Sequence, residues 1–593
     1  MTHYMKEYQF WLENDYFDDA TKEELRAIQG NEEEIKERFH RKLQFGTSGL
    51  RGIIAAGTNR MNIYTVRKAT QGFANFINKQ GATSGVVIAH DTRRKSREFA
   101  ENTARVFAAN GIKVYLFDDY RPTPLCSFAI RQLKAAAGVV ITASHNPKEY
   151  NGYKVFGDSG AAYEESNSQQ ITDEINALKD ITDIRIIDQV GEADAGASDS
   201  SANMEWMKQQ GLLHIIGKEI DDAFIVAVKQ YAVEPELTKE KGGMLGIVYT
   251  PLHGTGNPFM RRIFAETGFS NVHVVKEQEL PDPEFSTVKS PNPDNIETFA
   301  LGIRDAKAMD ADVIIGNDPD ADRAAIVARD CKGEYRLLSG NLMGSVLLYY
   351  LCSRMKERGT LPANGFMVKT VVTTELCRAI AEHFGVEVKE VHTGFKYIGE
   401  QIALFDDTGK GKYIMGFEES FGYLVGTHVR DKDSVVSSML IAEAALYYKM
   451  QGKTLWDVID DMYQAFGFRK EDELSFLMEG IEGEKKIKYT MEQMKQLQAD
   501  SVEGFPIVAI RDYSAAIRTC LVDGTKETLQ LQKQNFVYFE LEDHSWFAVR
   551  PSGTEPKLRV YFEYCGRTKE EAAQKLADMR SKVVAIVEGY LFG

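Results

Sequence analysis

Several features are scarce or missing in this 593-residue chain, and each shortage excludes a class of protein. Six cysteines are widely scattered without a Cys-x-x-Cys pair, which excludes a disulfide framework and a zinc ribbon. No apolar run reaches the roughly 18 residues of a membrane span. The first residues, MTHYMKEYQFWLEND, lack the basic flank and apolar core of a signal peptide. These absences predict a cytoplasmic protein.

Positive charge is also in short supply. The 71 Lys and Arg residues are outnumbered by 87 Asp and Glu residues, a formal net charge of −16. Such a surface repels nucleic acid and anionic membranes, so we expect neither as a partner. A small anionic substrate would need a local basic pocket. We expect small-molecule partners and a chain that is a monomer or a homodimer.

One β–α–Gly–β pattern occurs three times. In its first copy, a β-branched run at 85–89 precedes an amphipathic helical stretch that ends at Gly111, and a second strand run follows at 112–117. The same order returns at 245–275 and at 366–388. A glycine directly after each helix is typical of a helix end. The pattern predicts three related α/β domains with mainly parallel, mixed sheets.

The C-terminal region has a different pattern. Segments 536–541, 546–549 and 558–564 alternate like strands, and a long helix follows with Thr568 and Glu571 placed as a capping box. We therefore expect a fourth domain of the α+β class. Two polar stretches, 191–203 and 471–500, are predicted to be loops or insertions.

Four polar motifs each follow an apolar strand run, the place where ligands gather in parallel sheets. The first, TASHNP at 142–147, places Ser144 in a tight loop beside His145. A G-x-S-x-G elbow is absent, so a hydrolase triad is disfavoured. A serine beyond a strand end could instead carry a phosphoryl group. The alternative is an ordinary loop residue.

The second motif, DPDADR at 318–323, alternates three aspartates directly after a strand. Three converging carboxylates without a counter-ion would repel each other strongly, so they are expected to share a hard cation such as Mg²⁺. An EF-hand does not fit, because Arg323 and Arg329 stand where that loop needs glycine and glutamate. The alternative is a solvated acidic loop.

The third and fourth motifs suit a phosphorylated sugar. In GFEESFG at 416–422, Glu418 and Ser420 lie two apart on one side of an extended segment and could bind vicinal hydroxyls. In RPSGTEPK at 550–557, Arg550, two hydroxyls and a glycine could form an anion nest. The alternatives are an exposed acidic turn and an ordinary turn between strands.

Together, in this order, the four motifs resemble those of the α-D-phosphohexomutase superfamily, most closely its phosphoglucomutase branch in the long bacterial form. Further matching segments lie at 46–52, 150–154, 250–254 and 393–396, so the resemblance spans about 45–561. It implies four domains around a central cleft. We place the phosphoserine loop in 1–210, the metal-binding loop in 211–330, the sugar-binding loop in 331–485 and the phosphate-binding loop in 486–593.

The resemblance also implies a role for each site residue. Ser144 would be the phosphoserine, and its phosphate oxygen would join Asp318, Asp320 and Asp322 around one Mg²⁺ per chain. Arg323 would assist the transferring phosphate, and Glu418 and Ser420 would bind sugar hydroxyls. The remaining positions would bind phosphate or move protons: Arg550, Ser552, Gly553 and Thr554 for the phosphate that is not transferred, and Arg51, His145, Lys154 and Lys396 for proton transfer or phosphate charge.

The activity implied is the reversible interconversion of glucose 1-phosphate and glucose 6-phosphate, with glucose 1,6-bisphosphate as intermediate and activator. A phosphopentomutase, a phosphomannomutase and a glucose 1,6-bisphosphate synthase are alternatives within the superfamily. A metal-dependent phosphatase and a non-catalytic metal- or sugar-binding protein are alternatives outside it. The C-terminal domain is expected to move, because the ligand must be released and recaptured between two transfers.

Overall fold

Four β-sheets organise the chain in this computed structural model, which describes residues 2–46, 49–188, 200–478, 480–552 and 557–593. The first three sheets are mixed and carry helices, and the fourth is antiparallel throughout. This confirms the predicted fold class of three α/β domains followed by an α+β domain. Among the residues described, no helix combines the length and the apolar character needed to cross a membrane.

The first domain begins with three helices and continues with a six-stranded sheet of order β1-β5-β4-β2-β3-β6. Its elements are α1 (His3–Glu13), α2 (Asp19–Ala27), α3 (Glu32–Phe39), β1 (Gly49–Ile53), α4 (Ile63–Lys79), β2 (Val86–His90), α5 (Ser96–Ala109), β3 (Val114–Phe117), α6 (Thr123–Leu133), β4 (Ala137–Ile141), β5 (Tyr150–Gly157), α7 (Glu165–Ala177), α8 (Ser200–Gln209) and β6 (Leu213–Ile216). The predicted β–α–Gly–β unit is confirmed, and Gly111 has the positive φ of 75° expected after a helix.

The second and third domains repeat this plan with smaller sheets, of order β11-β10-β9-β7-β8 and β13-β12-β14-β15. The second contains α9 (Lys218–Lys229), α10 (Pro235–Lys241), β7 (Ile247–Thr250), α11 (Asn257–Thr267), β8 (Val272–Val274), α12 (Ala300–Met309), β9 (Val313–Asn317), β10 (Ala324–Arg329) and β11 (Tyr335–Leu337). The third contains α13 (Gly340–Glu357), β12 (Gly365–Thr370), α14 (Leu376–Phe384), β13 (Glu387–Val391), α15 (Phe395–Thr408), β14 (Lys412–Glu418), β15 (Gly422–Val425), α16 (Ser434–Lys449) and α17 (Leu455–Phe466).

The fourth domain is a seven-stranded antiparallel sheet of order β16-β22-β21-β20-β17-β18-β19, with two helices. Its elements are β16 (Phe468–Leu477), α18 (Gly480–Met494), β17 (Ile507–Asp512), β18 (Ile517–Cys520), β19 (Lys526–Thr528), β20 (Val537–Leu541), β21 (Trp546–Pro551), β22 (Lys557–Gly566) and α19 (Lys569–Phe592). Thr568 caps α19 by accepting a hydrogen bond from the Glu571 N–H. The Glu571 carboxylate accepts from the Arg567 N–H, so only half of the predicted capping box forms.

The loop prediction for 471–500 is wrong, because this stretch holds most of β16 and all of α18. Polarity misled the prediction: β16 is an edge strand, paired over its length with β22 alone, so much of it stays partly solvated. Of the stretch 191–203, residues 191–199 lie outside the described residues, and the rest begins α8. The first sheet extends to Ile216, beyond the predicted end of the first domain at 210. The last sheet begins at Phe468, before the predicted end of the third domain at 485.

The fourth domain has a hydrophobic core of its own, whereas one continuous core runs through the first three domains. A small apolar cluster that includes Val371 and Tyr538 joins the third and fourth domains. Beside it, the buried Glu563 carboxylate accepts hydrogen bonds from the Glu375 N–H at 3.1 Å, the Trp546 indole at 3.1 Å and Arg469 at 2.9 Å. The joint between these domains therefore combines an apolar cluster with buried polar contacts.

Replacing Glu563 by alanine leaves the Arg469 cation and two N–H donors buried without their partner. A broken buried ion pair typically costs about 3–5 kcal/mol. We expect a lower Tm in calorimetry and a larger radius of gyration in small-angle scattering. Asp472→Asn is the matched control, because Asp472 pairs with Arg580 at the surface of the same domain. Wild-type values for both quantities in Glu563→Ala would contradict this view of the joint.

Candidate functional site

Ser144 lies in a sharp turn directly after β4 and points at the second domain. Its φ of 52° is in the left-handed region, which a non-glycine residue adopts only when its surroundings hold it there. Its N–H donates to Thr142 Oγ1 at 2.8 Å, and its buried hydroxyl donates to Asp318 Oδ2 at 2.6 Å. The first two predicted motifs therefore meet in the folded chain, across a domain boundary.

The three aspartates occupy the turn between β9 and β10, and one oxygen from each lies within 4.8 Å of the others. All three are buried, and within the described chain Oδ1 of Asp320 and Oδ1 of Asp322 have no hydrogen-bond partner. Burial, reinforced by the two neighbouring carboxylates, raises the pKa of Asp318 well above its usual range. Unpartnered buried carboxylate oxygens are what a hard cation satisfies, so the residues present fit a Mg²⁺ site.

Cations from two other domains reach the same carboxylates. Lys154 Nζ on β5 lies 2.7 Å from Asp320 Oδ2 and 3.0 Å from Asp322 Oδ2. Lys432, which precedes α16, lies 3.2 Å from Asp322 and 3.6 Å from Glu418. Burial opposes ionisation of Asp320 and Asp322, but Lys154 outweighs it, and both pKa values lie below the usual range. The first three domains thus share one charge cluster.

His145 is the second group in contact with the serine. Its Nδ1 lies 3.1 Å from Ser144 Oγ. Burial, with help from the Arg323 and Arg51 charges, lowers the pKa of His145 well below its usual range. The imidazole is therefore neutral at neutral pH. The Arg323 backbone N–H donates to Asp318 Oδ1 at 3.0 Å and helps to fix that carboxylate.

The predicted sugar-binding pair stands at the end of β14. Ser420 Oγ donates to Glu418 Oε1 at 3.0 Å, so the hydroxyl and the carboxylate lie side by side as expected. Burial and the Glu418 charge raise the pKa of the adjacent Glu419 to about 7. Lys432 contacts both Glu418 and Asp322 of the aspartate cluster. Because Ser144 contacts Asp318 of the same cluster, the cluster connects the serine with the predicted sugar-binding motif.

The structure spreads the remaining predicted residues along the cleft. Arg51 on β1 donates to Asn146 Oδ1 at 3.0 Å, beside the serine loop. Lys396 begins α15, and its buried Nζ has no hydrogen-bond partner among the described residues. Arg550 lies near the end of β21 in the fourth domain. Its positive charge acts to lower the pKa of Glu419 in the third domain, so these parts of the two domains face each other. Ser552 donates its N–H to the Lys557 carbonyl. Gly553 and Thr554 lie outside the described residues.

Sequence reasoning missed two residues that contact the candidate site, Lys432 and Arg93. Arg93 follows β2, and its buried guanidinium donates to the carbonyls of Pro147 at 2.9 Å and Tyr150 at 3.1 Å, and also to those of Ser144 and Asn146. Asp91 holds it in place at 3.3 Å. The polar run after β2, HDTR at 90–93, was an available signal, because it follows a strand just as the four motifs do.

A serine bonded to one of three buried aspartates, where three α/β domains meet and a fourth antiparallel domain closes the chain, defines the α-D-phosphohexomutase class. Four family domains match in order: phosphoglucomutase/phosphomannomutase α/β/α domain I at 42–182, domain II at 222–333, domain III at 343–466 and the C-terminal domain at 485–582. The chain belongs to the phosphoglucomutase/phosphomannomutase family, in its phosphoglucomutase branch.

Related proteins match this chain over nearly its full length. A phosphoglucomutase of Staphylococcus epidermidis is 35% identical over 571 residues, which cover 96% of this chain and 99% of the relative. One of Staphylococcus aureus is 35% identical over 92% of this chain and 94% of its own length. Among solved structures, pp63/parafusin of Paramecium in its open form has the same fold, with a TM-score of 0.67 at 19% identity over 92% of this chain and 95% of its own.

Arg93→Lys tests whether the guanidinium holds the serine loop. An ammonium lacks the planar fork that reaches four carbonyls at once, so several buried carbonyls lose a partner. We expect amide hydrogen exchange in 144–152 to accelerate about tenfold, the equivalent of about 1.4 kcal/mol of local opening. Arg94→Lys is the control, since Arg94 is exposed and pairs with Glu284. Equal exchange rates in Arg93→Lys and wild type would contradict the assignment.

Proposed function

We propose that this protein interconverts glucose 1-phosphate and glucose 6-phosphate through a phosphoserine formed at Ser144. One observation carries the proposal: the Ser144 hydroxyl contacts Asp318 at 2.6 Å, inside a cluster of three buried carboxylates. The full-length similarity to proteins named phosphoglucomutase supports the choice of sugar. Phosphoryl transfer depends mainly on positioning and on neutralising charge, and this cluster is built for both.

The three aspartates would hold one Mg²⁺ per chain, with an oxygen of the phosphoserine as a further ligand. Bound there, the cation would neutralise charge on the transferring phosphoryl group. Lys154 and Lys432 hold the carboxylates in place from two sides. Arg323 would add positive charge at the transferring phosphate. His145, whose Nδ1 contacts Oγ, would serve proton transfer or phosphate charge beside the serine.

The rest of the cleft would let a bisphosphorylated sugar bind in two orientations. Ser144 phosphate first passes to the substrate, forming glucose 1,6-bisphosphate, which turns over and returns its other phosphoryl group to the serine. Glu418 and Ser420 would bind the sugar hydroxyls in both orientations. The distal phosphate would be bound by Arg550 and Ser552, with Gly553 and Thr554. Arg51 and Lys396 would supply further charge for the phosphates.

Movement of the fourth domain would admit, release and recapture the ligand. Its core, which is separate from the core of the first three domains, supports such movement. Closure would exclude water and suppress hydrolysis of the phosphoserine, which separates a mutase from a phosphatase. We further propose a reducing, cytoplasmic compartment, because all six cysteines are free thiols and all lie within the described ranges.

Turnover on three substrates tests the choice of sugar. We expect glucose 1-phosphate to give a higher kcat/KM than mannose 1-phosphate or ribose 1-phosphate in an assay of product phosphate position. Dominant activity on the pentose or the mannose phosphate would overturn the choice of glucose while leaving the mutase class intact. Steady release of inorganic phosphate without an isomeric product would overturn the mutase class itself.

Ser144→Ala is expected to lose several powers of ten in kcat, on the order seen when other covalent nucleophiles are removed. Incubation with glucose 1,6-bisphosphate is expected to add one phosphoryl group to the wild type, mapped to Ser144 by mass spectrometry, and none to the variant. Ser166→Ala, an exposed serine on α7, serves as control. A phosphoryl group on another residue, or full activity of Ser144→Ala, would rule out the proposed nucleophile.

Asp320→Asn is expected to weaken Mg²⁺ binding at least about tenfold in calorimetric titration, because one charged ligand becomes a neutral amide. Activity at low Mg²⁺ is expected to fall and to recover in part at high Mg²⁺. Asp310→Asn, an exposed aspartate that pairs with Arg329, is the matched control. Unchanged Mg²⁺ affinity in Asp320→Asn would exclude the triad as the metal site.

A further inference from the structure

The three N-terminal helices precede the first matched family domain, which begins at residue 42, and the proposed reaction gives them no role. They form an aromatic cluster that packs on the start of α4: Trp11 stacks on Phe17 with ring centroids 4.3 Å apart, and both contact Tyr64. The Tyr64 hydroxyl donates to Asp18 Oδ2 at 2.9 Å and accepts from the Asp18 N–H. The helices are therefore firmly docked on the first domain.

Their polar edge binds the turn at 55–61, which follows β1. The Glu24 carboxylate on α2 accepts the Ala56 N–H at 3.1 Å and pairs with Arg38 on α3 at 2.5 Å. The Arg38 carbonyl accepts the Asn59 N–H at 2.9 Å. Glu37 pairs with Arg60 at 3.1 Å. Two helices thus hold the backbone of one turn through several hydrogen bonds.

Gly57 at the centre of the turn shows how close this contact is. Its φ of +133° is in a region that favours glycine, and an added Cβ would lie 2.9 Å from both the Cβ and the carbonyl oxygen of Arg38. A side chain at this position would push the turn away from α3. The sequence therefore carries a glycine where the turn and the helix touch.

The turn at 55–61 also supports β1, the strand that carries Arg51. The Met61 N–H donates to the Ile53 carbonyl at 2.8 Å, and the Ile54 N–H donates to the Glu149 carbonyl at 2.7 Å, within the loop that follows Ser144. β1 is an edge strand, paired on one side with β5, so the turn is a second anchor for it. The contacts run without a gap from Glu24 to Arg51 and the serine loop.

We propose that the N-terminal helices act as a clamp that positions Arg51 beside the serine loop, with Glu24 as the central positioning residue. Glu24 accepts the Ala56 N–H and acts through the backbone of the turn. The effect on turnover rests on the function proposed above, whereas the effect on the order of the turn does not. Small displacements of a charge-bearing residue are costly, since about 1 Å of misplacement can cost on the order of 100-fold in rate.

The test combines kinetics with hydrogen exchange on the full-length protein. Glu24→Ala is expected to lower kcat about tenfold and to accelerate amide exchange in 50–61. Glu24→Gln keeps an oxygen that can accept the Ala56 N–H, and it is expected to recover most of the activity. In an Arg51→Ala background, Glu24→Ala is expected to cost less than about twofold, because coupled sites are not additive.

The controls separate the clamp from a general loss of stability. Glu32→Ala removes the acceptor of the Tyr4 hydroxyl within the same helices but does not reach the turn, so wild-type activity and exchange are expected. If Glu24→Ala does not fold, Gly57→Ala tests the same contact from the turn, with the helices unchanged.

Either of two kinetic results overturns the clamp: an equal loss from Glu24→Ala with and without Arg51, or wild-type kcat in both Glu24→Ala and Gly57→Ala. A wild type without mutase activity would instead overturn the proposed function. In that case exchange in 50–61 alone decides the clamp, and wild-type exchange in both variants would overturn it.

Discussion

Three carboxylates buried within 4.8 Å of one another are the constraint on which this structure depends. Burial and mutual repulsion both favour the neutral acids, and both raise the pKa of Asp318. Two lysines from other domains and a serine hydroxyl offset this cost by contacting the carboxylates. Two carboxylate oxygens still have no hydrogen-bond partner among the described residues, and such oxygens suit a cation. The same aspartate cluster therefore matters both for the packing of the domains and for the proposed chemistry.

This shared charge explains the arrangement of the domains. The carboxylates belong to the second domain, Lys154 and Ser144 to the first, and Lys432 to the third. Separating these domains would leave buried charges without partners, and one continuous apolar core also joins them. None of the described residues of the fourth domain contacts the cluster that Lys154 and Lys432 neutralise, and this domain keeps its own core. A firm three-domain body with one separately packed domain follows from where the charges lie.

Local sequence patterns predicted the strand-end motifs well, because each motif is a short run whose residues act together. Ser144, the three aspartates and the Glu418–Ser420 pair lie where the strand periodicity places them. Lys432 and Arg93 were missed because their partners are a carboxylate far along the chain and backbone carbonyls, which carry no residue-specific signal. The stretch 471–500 was mistaken for a loop because a partly solvated edge strand is as polar as a loop.

The amino-acid sequence by itself determined the family, the order of the α/β units and the identity of the serine and aspartate motifs. The order of the units follows from the periodicity of neighbouring residues, and the family follows from the resemblance that the ordered motifs carry. Only the tertiary structure decided that Asp318 meets Ser144, that Lys432 joins the aspartate cluster to Glu418, and that Glu24 contacts the turn after β1. Those contacts join residues far apart in the chain, and burial makes them strong only after the domains have packed.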